Sequence, residues 1–557
     1  MMSTNEELNI VPLGGLGHVG GNMMVYETAN DMVVVDCGVL FPGEEHPGVD
    51  YIIPDFSYVG QKRDKLRAVV LTHGHEDHLG AVPYFLRSFD VPVYGTHFTL
   101  ELLRQKYDKK GREDLELRRI RDYEDFQIGS FHFHPIPVTH SIPDAVSLAI
   151  KTPTGTVIHT GDFRFDPTPI DGRVSGFEAY ERFGKEGVLA LLSDSTNSEK
   201  TGQTWSEQEI DKNIKDVVAR APERVLVTPF ASHIHRIQSF IDAASASDRQ
   251  IVVVGRSMRQ NIEMSLREGY LKAPGPMFFD ASEYDYMPRS KVMIIASGTQ
   301  GEARSAMTRI AAGAHKEIHM DPGDWVVFSS RRIPGNERAV GELFNQYMRI
   351  GVKVIDDRAE RIHTSGHAFE DEQAKMLQMC KPKYFIPVHG EYRHMRRHGL
   401  LAEKLGWSKN HILNIEDGTP ICIREEEGET RYRYGEPVPV GKVFVEGRLA
   451  NEVDSYVLRD RLIMSDVGVV FCSVALNGSG KLLSTPTLIT RGVVHEDINQ
   501  PLLQSAIREV EGALRPLVQV GKDEELEQVM RRSLKKFFRR ELDAHPLILP
   551  KVLRINS

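Results

Sequence analysis

Short runs of β-branched and aromatic residues, each closed by turn residues, fill roughly the first third of the chain. They predict strands at Asn9–Leu13, Met23–Glu27, Met32–Asp36, Ala68–Thr72, Val91–Tyr94, Phe131–Val138, Val157–Thr160 and Leu189–Leu192, a β-rich α/β layer structure. Past Trp205 the apolar positions take a helical period at Ser206–Arg220 and His235–Ala244. They alternate there with buried-strand runs at Arg224–Thr228, Gln250–Gly255 and Lys291–Ala296, a pattern that predicts a parallel sheet. Strands return at Val352–Ile355 and Tyr384–Val388, and the Glu-, Pro- and Gly-rich stretch Asp417–Gly447 predicts a linker or edge hairpins. A last segment carries a strand at Val467–Val474 and helices near Pro501–Leu517 and Asp523–Leu542. In the final helix Asp523 is the expected N-cap and the run RRSLKKFFRR closes the last turns, with Leu526, Met530, Leu534, Phe537 and Phe538 on one stripe. That reads as a packed, dipole-matched helix, with an RNA-facing or dimer-forming helix as the alternative.

With 557 residues the chain exceeds a single core, and roughly 150 residues per domain predicts three or four domains. Lys plus Arg minus Asp plus Glu is 69 − 78 = −9, so the chain as a whole repels a polyanion; nucleic-acid binding would need a local basic patch or metal. Cys37, Cys380, Cys422 and Cys472 form no C-x-x-C pair, which argues against a disulfide framework or thiolate zinc site and for a reducing cytosol. No basic leader and no apolar stretch of about 18 residues is present, so a cytoplasmic protein without membrane contact is expected.

The strongest chemical signal is Thr72-His73-Gly74-His75-Glu76-Asp77-His78, directly after a predicted strand. Crowded imidazoles and a carboxylate on one turn suit borderline metals, chiefly zinc. Further donors stand at other strand ends: His140, Asp162 and His389. Strand C-termini are where open α/β sheets gather their sites, and together these residues supply enough ligands for two metals.

The H-x-H-x-D-H motif followed by a His, an Asp and a last His resembles the metallo-β-lactamase superfamily. The resemblance implies an αββα sandwich in which His73, His75 and His140 hold one zinc, Asp77, His78 and His389 hold the other, and Asp162 bridges them. The insert between Asp162 and His389 resembles the β-CASP group of nucleic-acid-processing members, with LLSDSTN and HTSGH as its acidic and histidine motifs. More narrowly, GHEDHLGA, THSIPD, TGDFRFDPTP, LLSDSTNSE, GRSM, SGTQGE, IHTSGH, PVHGEYRH and VLRDR run in the order found in the bacterial ribonuclease J family. The implied fold is α/β: a metallo-β-lactamase domain in two parts (1–204 and 356–425), a β-CASP parallel-sheet α/β domain (205–355), a linker (426–455) and a small α/β C-terminal oligomerisation domain (456–557).

The same resemblance implies a ribonuclease with 5′-to-3′ exonuclease activity on 5′-monophosphate RNA and endonuclease activity besides, in rRNA processing, RNA maturation and mRNA decay. Asp77 and Asp194 join His367 as the implied catalytic set, Asp194 orienting a ligand or neighbouring histidine and His367 protonating the leaving oxygen or holding the phosphate. Ala231, Ser232 and His233, with His363, Thr364, Ser365, Gly366 and His367, are the implied contacts to single-stranded RNA. Manganese or magnesium for turnover, a structural calcium near Gly48, Asp50 and Asp454, a homodimer or homotetramer, and a paralogous subunit, RNA helicase or ribosome as partners complete the expectation. The alternatives are an endonuclease only, or a non-catalytic RNA-binding scaffold.

Three segments depart from the family pattern: His233 in Ala231-Ser232-His233-Ile234-His235-Arg236, His18 where an acidic residue is frequent, and Arg331-Arg332 in place of smaller residues. None removes an expected ligand, so they bear on substrate handling. Gly15-Leu16-Gly17-His18-Val19-Gly20 mimics a dinucleotide fingerprint, but Met23–Thr28 reads as a strand where that motif needs a helix, and Gly478-Ser479-Gly480-Lys481 lacks the remaining residues of a P-loop.

Overall fold

In the computed structural model the described residues are 7–43, 45–108, 115–333, 335–447, 451–452, 455–517 and 522–555. They fall into two compact units, one of residues 1–40 and 53–442 and one of 41–52 and 443–557.

The first unit is built around two facing sheets. In one, eight strands run in the spatial order Glu429–Tyr434, Ile421–Glu426, Glu7–Gly14, Met23–Glu27, Met32–Val35, Leu66–Val70, Val93–Gly95, Leu117–Arg119. In the other, six run in the order Tyr384–Val388, Val188–Asp194, Gly155–His159, Val146–Thr152, Phe131–Pro137, Phe126–Ile128. Their inner faces interdigitate through Ile10, Tyr26, Val33 and Val70 from one and Phe133, Leu148, Val157, Leu192 and Ile386 from the other. The outer face of the six-stranded sheet is covered by helices Phe177–Glu186 and Glu370–Cys380 through Ile158, Leu191, Phe385, Tyr180, Phe183, Met376 and Leu377. This is the expected metallo-β-lactamase layer arrangement. The insert forms an all-parallel sheet in the order Phe278–Phe279, Gln250–Val254, Val292–Ala296, Val225–Thr228, Trp325–Phe328, Lys353–Ile355. Its central strands Val225–Thr228, Val292–Ala296 and Trp325–Phe328 are buried throughout and therefore read as continuous apolar runs rather than alternating ones.

In the second unit Val469–Asn477 pairs antiparallel with Thr487–Arg491 and parallel with Leu547–Ile555. Helices Gln500–Leu514 and Asp523–Leu542 share a core with it, formed by Val470, Val474, Val510, Leu526, Met530, Leu534 and Phe538. The apolar stripe read from the sequence is thus buried. Asp523 is not the N-cap: Lys522 takes that place and Asp523 opens the helix, where it pairs with Arg554 at 2.7 Å.

Two other expectations shift. The strand predicted over Met32–Asp36 ends at Val35, because Asp36 adopts φ 60° and turns its carboxylate toward the loop after the neighbouring strand. The stretch expected as a linker or edge hairpins contains the hairpin Ile421–Glu426 and Glu429–Tyr434, which extends the eight-stranded sheet. The glycines of the dinucleotide-like motif, Gly15, Gly17 and Gly20, all have positive φ and lead into the strand Met23–Glu27. All four cysteines are free and buried. Among the described residues no helix is long and apolar enough to cross a membrane.

Candidate metal centre

Both sheets deliver their strand C-termini to one edge. The strand Leu66–Val70 runs into the His73–His78 loop and the short helix Glu76–Leu79; His140 follows Phe131–Pro137, Asp162 follows Gly155–His159, Asp194 ends Val188–Asp194, and His389 follows Tyr384–Val388. The metal-motif loop is held by backbone on both sides: Asn22 N–H donates to the Asp77 carbonyl at 2.9 Å and Cys37 N–H to that of His78 at 2.6 Å. Gly38 lies so close beneath it that a Cβ would sit 1.7 Å from the Asp77 carbonyl oxygen, so only glycine fits.

The donor atoms form two groups that meet on one residue: His73, His75, His140 and Asp162, and Asp77, His78, His389 and Asp162. In the first, His75 Nδ1 lies 3.1 Å from both His73 Nε2 and His140 Nε2, and Asp162 Oδ2 lies 3.6 and 3.5 Å from those same two nitrogens. In the second, Asp162 Oδ1 lies 3.3 Å from His78 Nε2 and 3.5 Å from His389 Nε2, and Asp77 Oδ2 lies 3.4 Å from His389 Nε2. Ligands about 2.0–2.1 Å from a tetrahedral ion stand about 3.4 Å apart, so the spacing fits a divalent metal in each group. Asp162 sends one oxygen to each, and Oδ1 is buried with no hydrogen-bond partner, as a ligand atom awaiting a cation would be. A donor set of imidazole and carboxylate without thiolate suits borderline divalent ions.

Each imidazole of the two groups but His75 is fixed through Nδ1, leaving Nε2 available to a metal. His78 Nδ1 donates to Asp36 Oδ2 at 2.8 Å, and His73 Nδ1 donates to Thr72 Oγ1 at 3.0 Å, whose hydroxyl donates to the same Asp36 oxygen at 2.8 Å. His140 Nδ1 donates to the Gly366 carbonyl at 2.7 Å. His389 Nδ1 donates to Thr196 Oγ1 at 2.6 Å, which donates to Asp194 Oδ1 at 2.7 Å; the other Asp194 oxygen accepts from His367 Nδ1 at 2.8 Å. His367 is thereby tied to the cluster with Nε2 unconstrained, and its side chain is 21% exposed.

Protonation divides the two groups. Burial, with the neighbouring imidazoles, holds His73 and His140 well below the ordinary histidine range and His75 down to about 4. Burial opposes charge on His78 and His389 too, but Asp162 and the other carboxylates outweigh it, pushing His78 up to about 10 and His389 well above its usual value. In turn His389 and His78 hold Asp162 ionised despite its burial.

The expected RNA-contact residues have mixed placements. Gly366 touches His140, and a Cβ there would lie 2.7 Å from its ring. Ser365 accepts from Asn197 Nδ2 at 2.7 Å, and Thr364 donates to the Trp205 carbonyl at 3.0 Å. Ala231 and Ser232 are half-buried before the helix Ile234–Ala246. His233, expected at a phosphate, is instead 1% exposed: it caps that helix through Nδ1 and faces Glu207 at 3.4 Å, because Glu207, Arg164 and Arg236 form a buried ion network there. His363 lies within the influence of the same charges, its ring held neutral chiefly by burial. The candidate calcium residues are not gathered into a donor cluster among the described residues. Asp50 accepts the Gly447 N–H at 2.7 Å, the Arg461 guanidinium stands against Gly48, and Asp454 lies outside the described residues.

Family models match along the chain: the metallo-beta-lactamase superfamily at residues 16–201, the ribonuclease J beta-CASP domain at 222–347, the Zn-dependent metallo-hydrolase RNA specificity domain at 352–412 and the ribonuclease J C-terminal domain at 456–555. Ribonuclease J of Corynebacterium glutamicum is 37% identical over 99% of this chain and 76% of its own length. The chain belongs to the ribonuclease J family. Ribonuclease J2 of Bacillus subtilis is 36% identical over 99% of both chains, and ribonuclease J of Mycobacterium tuberculosis is 37% identical over 99% of this chain and 98% of its own. A crystal structure of a protein of unknown function from Enterococcus faecalis shares the fold, with a TM-score of 0.52 at 15% identity, covering 75% of this chain and all of that one. Membership makes the chain a metal-dependent RNA hydrolase.

Asp36 received no site role from the sequence, nor did Thr72, Thr196 and Asn197 within the motifs that contain them. For the first the available signal was an Asp directly after the apolar run Met32–Val35, at a strand end as are His140, Asp162, Asp194 and His389.

Proposed function

We propose that this ribonuclease J family member is a two-zinc enzyme that degrades single-stranded RNA from a 5′-monophosphate end in the 5′-to-3′ direction and also cleaves internally, in rRNA processing, RNA maturation and mRNA decay in the cytoplasm. The observation that carries the reading is the pair of complete donor groups sharing Asp162, with His367 attached to them through Asp194. A metal pair bound there supplies an activated water and charge to offset the negative transition state. His73, His75, His140, Asp77, His78, Asp162 and His389 would hold it. Asp194 anchors His367 by Nδ1, so Nε2 is the atom positioned to pass a proton to the leaving oxygen. The half-buried His363 and His367 of the His363–His367 loop and the Ala231-Ser232 segment would line the strand's path, and His233 would act by fixing the helix beside them. Zinc is favoured for the resting site, with manganese or magnesium as ions that support turnover. A homodimer or homotetramer formed through the C-terminal unit, open to a paralogous subunit, a helicase or the ribosome, follows from the family resemblance, as does a structural calcium.

The test is a time course on one RNA labelled at either end and carrying a 5′-monophosphate or a 5′-triphosphate. Labelled mononucleotide released only from 5′-labelled monophosphate RNA, and abolished by chelator, is the expected result. Internal fragments indifferent to the 5′ group would make it an endonuclease only, and binding without cleavage would make it a scaffold.

A further inference from the structure

The site described so far accounts for the carboxylates and imidazoles at the sheet edge but not for two cations beside it. Arg331 Nη1 donates to Asn197 Oδ1 at 2.7 Å, and Asn197 Nδ2 donates onward to Ser365 Oγ at 2.7 Å and to the His367 carbonyl at 3.0 Å. The loop bearing Arg331 is fixed rather than free: the amide of buried Gln300 donates to the Arg331 carbonyl at 2.9 Å and accepts the Ile333 N–H at 2.8 Å. Lys200, three residues beyond Asn197, is half-buried with its ammonium 4.9 Å from the centre of the Phe369 ring. Its backbone N–H donates to the Asn197 carbonyl at 2.9 Å, so both cationic residues are hydrogen-bonded to Asn197, and burial and then the charge of Arg331 lower the Lys200 pKa to about 8.

Nearby cations are neutralised. Arg332 pairs with Asp356 at 2.9 Å, and Arg393 pairs with Glu199 and Glu391. Among the described residues, Arg331 and Lys200 make no ion pair with a carboxylate; Asp357 is the acidic group that both feel, without bonding to either. Partly desolvated like charges cost free energy unless an anion joins them, and a phosphate oxygen matches the fork of a guanidinium together with an ammonium.

We propose that Lys200 and Arg331 form a subsite for a backbone phosphodiester of the bound RNA, next along the strand from the bond held at the metal cluster. The proposal rests on the ribonuclease reading above. The hydrogen-bonded route Arg331–Asn197–His367 places the subsite beside the reacting phosphate, and its two positive charges locally reverse the repulsion expected of a chain with net charge −9.

The experiment is the salt dependence of kcat/KM on a single-stranded 5′-monophosphate RNA, for the full-length metal-loaded protein and for Arg331→Ser, Lys200→Ser, both together, and Arg331→Lys. Each serine variant is expected to raise KM more than it lowers kcat and to flatten the slope of log kcat/KM against log salt by about 0.7, the double variant by about 1.4. Arg331→Lys is expected to restore the slope although it cannot reproduce the guanidinium bond to Asn197. Slopes that stay at the wild-type value in Lys200→Ser and Arg331→Ser would overturn the subsite. So would a fall in kcat alone that Arg331→Lys fails to rescue, since Arg331 would then only prop Asn197. A wild-type protein that cleaves no RNA would remove the ribonuclease reading and the subsite with it, whereas unchanged slopes in an active enzyme remove the subsite alone.

Discussion

The two donor groups that share Asp162 solve the problem of buried charge in opposite ways. The His73–His75–His140 group is all imidazole, kept neutral by burial and supported through a hydroxyl and a backbone carbonyl. The Asp77–His78–His389 group adds a carboxylate of its own, and Asp36 and Asp194 stand behind it. Asp162 first, and these three acids added to it, leave the second group holding protons where the first holds none. A proton there does the electrostatic work of a cation, so the second group is closed by protons when metal is absent, while the first is already in its ligating state.

The largest break is Asp162→Ala, which removes the shared carboxylate that gives one oxygen to each group. Both sites should weaken together, with loss of cleavage of at least about a thousandfold and metal content well below two per chain by elemental analysis. Asp77→Ala or His78→Ala separates them: cleavage should again be lost in a metal-defined assay, but the protein should stay soluble and retain about one metal in the imidazole group. Full activity in either variant would contradict the assignment of these residues.

The contrast also has a pH signature. In the metal-free protein His78 keeps its proton up to about pH 10, so metal entering the second group must displace protons from His78 and His389, and affinity there should climb with pH. His75 loses its proton at about 4, so the first group should be flat above pH 5 or so. Competition with a chromophoric chelator between about pH 6 and 8 should resolve one pH-independent site and one whose affinity rises by up to about a hundredfold per pH unit. The same shift has a stability consequence. The charged form of His78 stabilises the metal-free fold fully below its unfolded pKa of about 6.5, and that contribution is lost as pH rises toward 10. Two sites with identical pH profiles would erase the distinction.

Asp36 is the next test and also marks where sequence reading stopped. Asp36→Asn keeps the shape but removes the charge that holds His78 and, through Thr72, His73; metal affinity should fall about 10- to 100-fold. The seven proposed ligands were legible because four of them crowd into one six-residue turn after an apolar run and the other three, His140, Asp162 and His389, stand just past further apolar runs. The strand-helix alternation of the insert was legible for the same reason, since its period changes with the element. Asp36 was not, because its function depends on a left-handed φ that ends a strand one residue early and swings the carboxylate across to a loop 36 residues on. Thr196 and Asn197 are ordinary turn residues until the fold sets them against His389 and Ser365. His233 erred in the other direction: a histidine in a phosphate-contact motif looks exposed until the buried Glu207–Arg236 pair claims its position.

The smallest expected effect falls on the hydroxyl between His389 and Asp194. Thr196→Val keeps the β-branched volume and removes only the Oγ1 that accepts from His389 Nδ1 and donates to Asp194. A buried hydrogen bond of this kind is worth about 1 kcal/mol net, roughly fivefold in the affinity of the second metal. Asp194 Oδ1 already lies 3.4 Å from His389 Nδ1, so a small closure lets the carboxylate take the proton directly and caps the loss near that figure. Asp194→Asn, by contrast, should cost more than Thr196→Val in both metal affinity and rate, because it also weakens the 2.8 Å bond that fixes His367. If the valine variant loses as much as the asparagine one, the hydroxyl rather than the carboxylate is the principal support of His389, and the acid-backed character assigned to the second group rests on Asp36 alone.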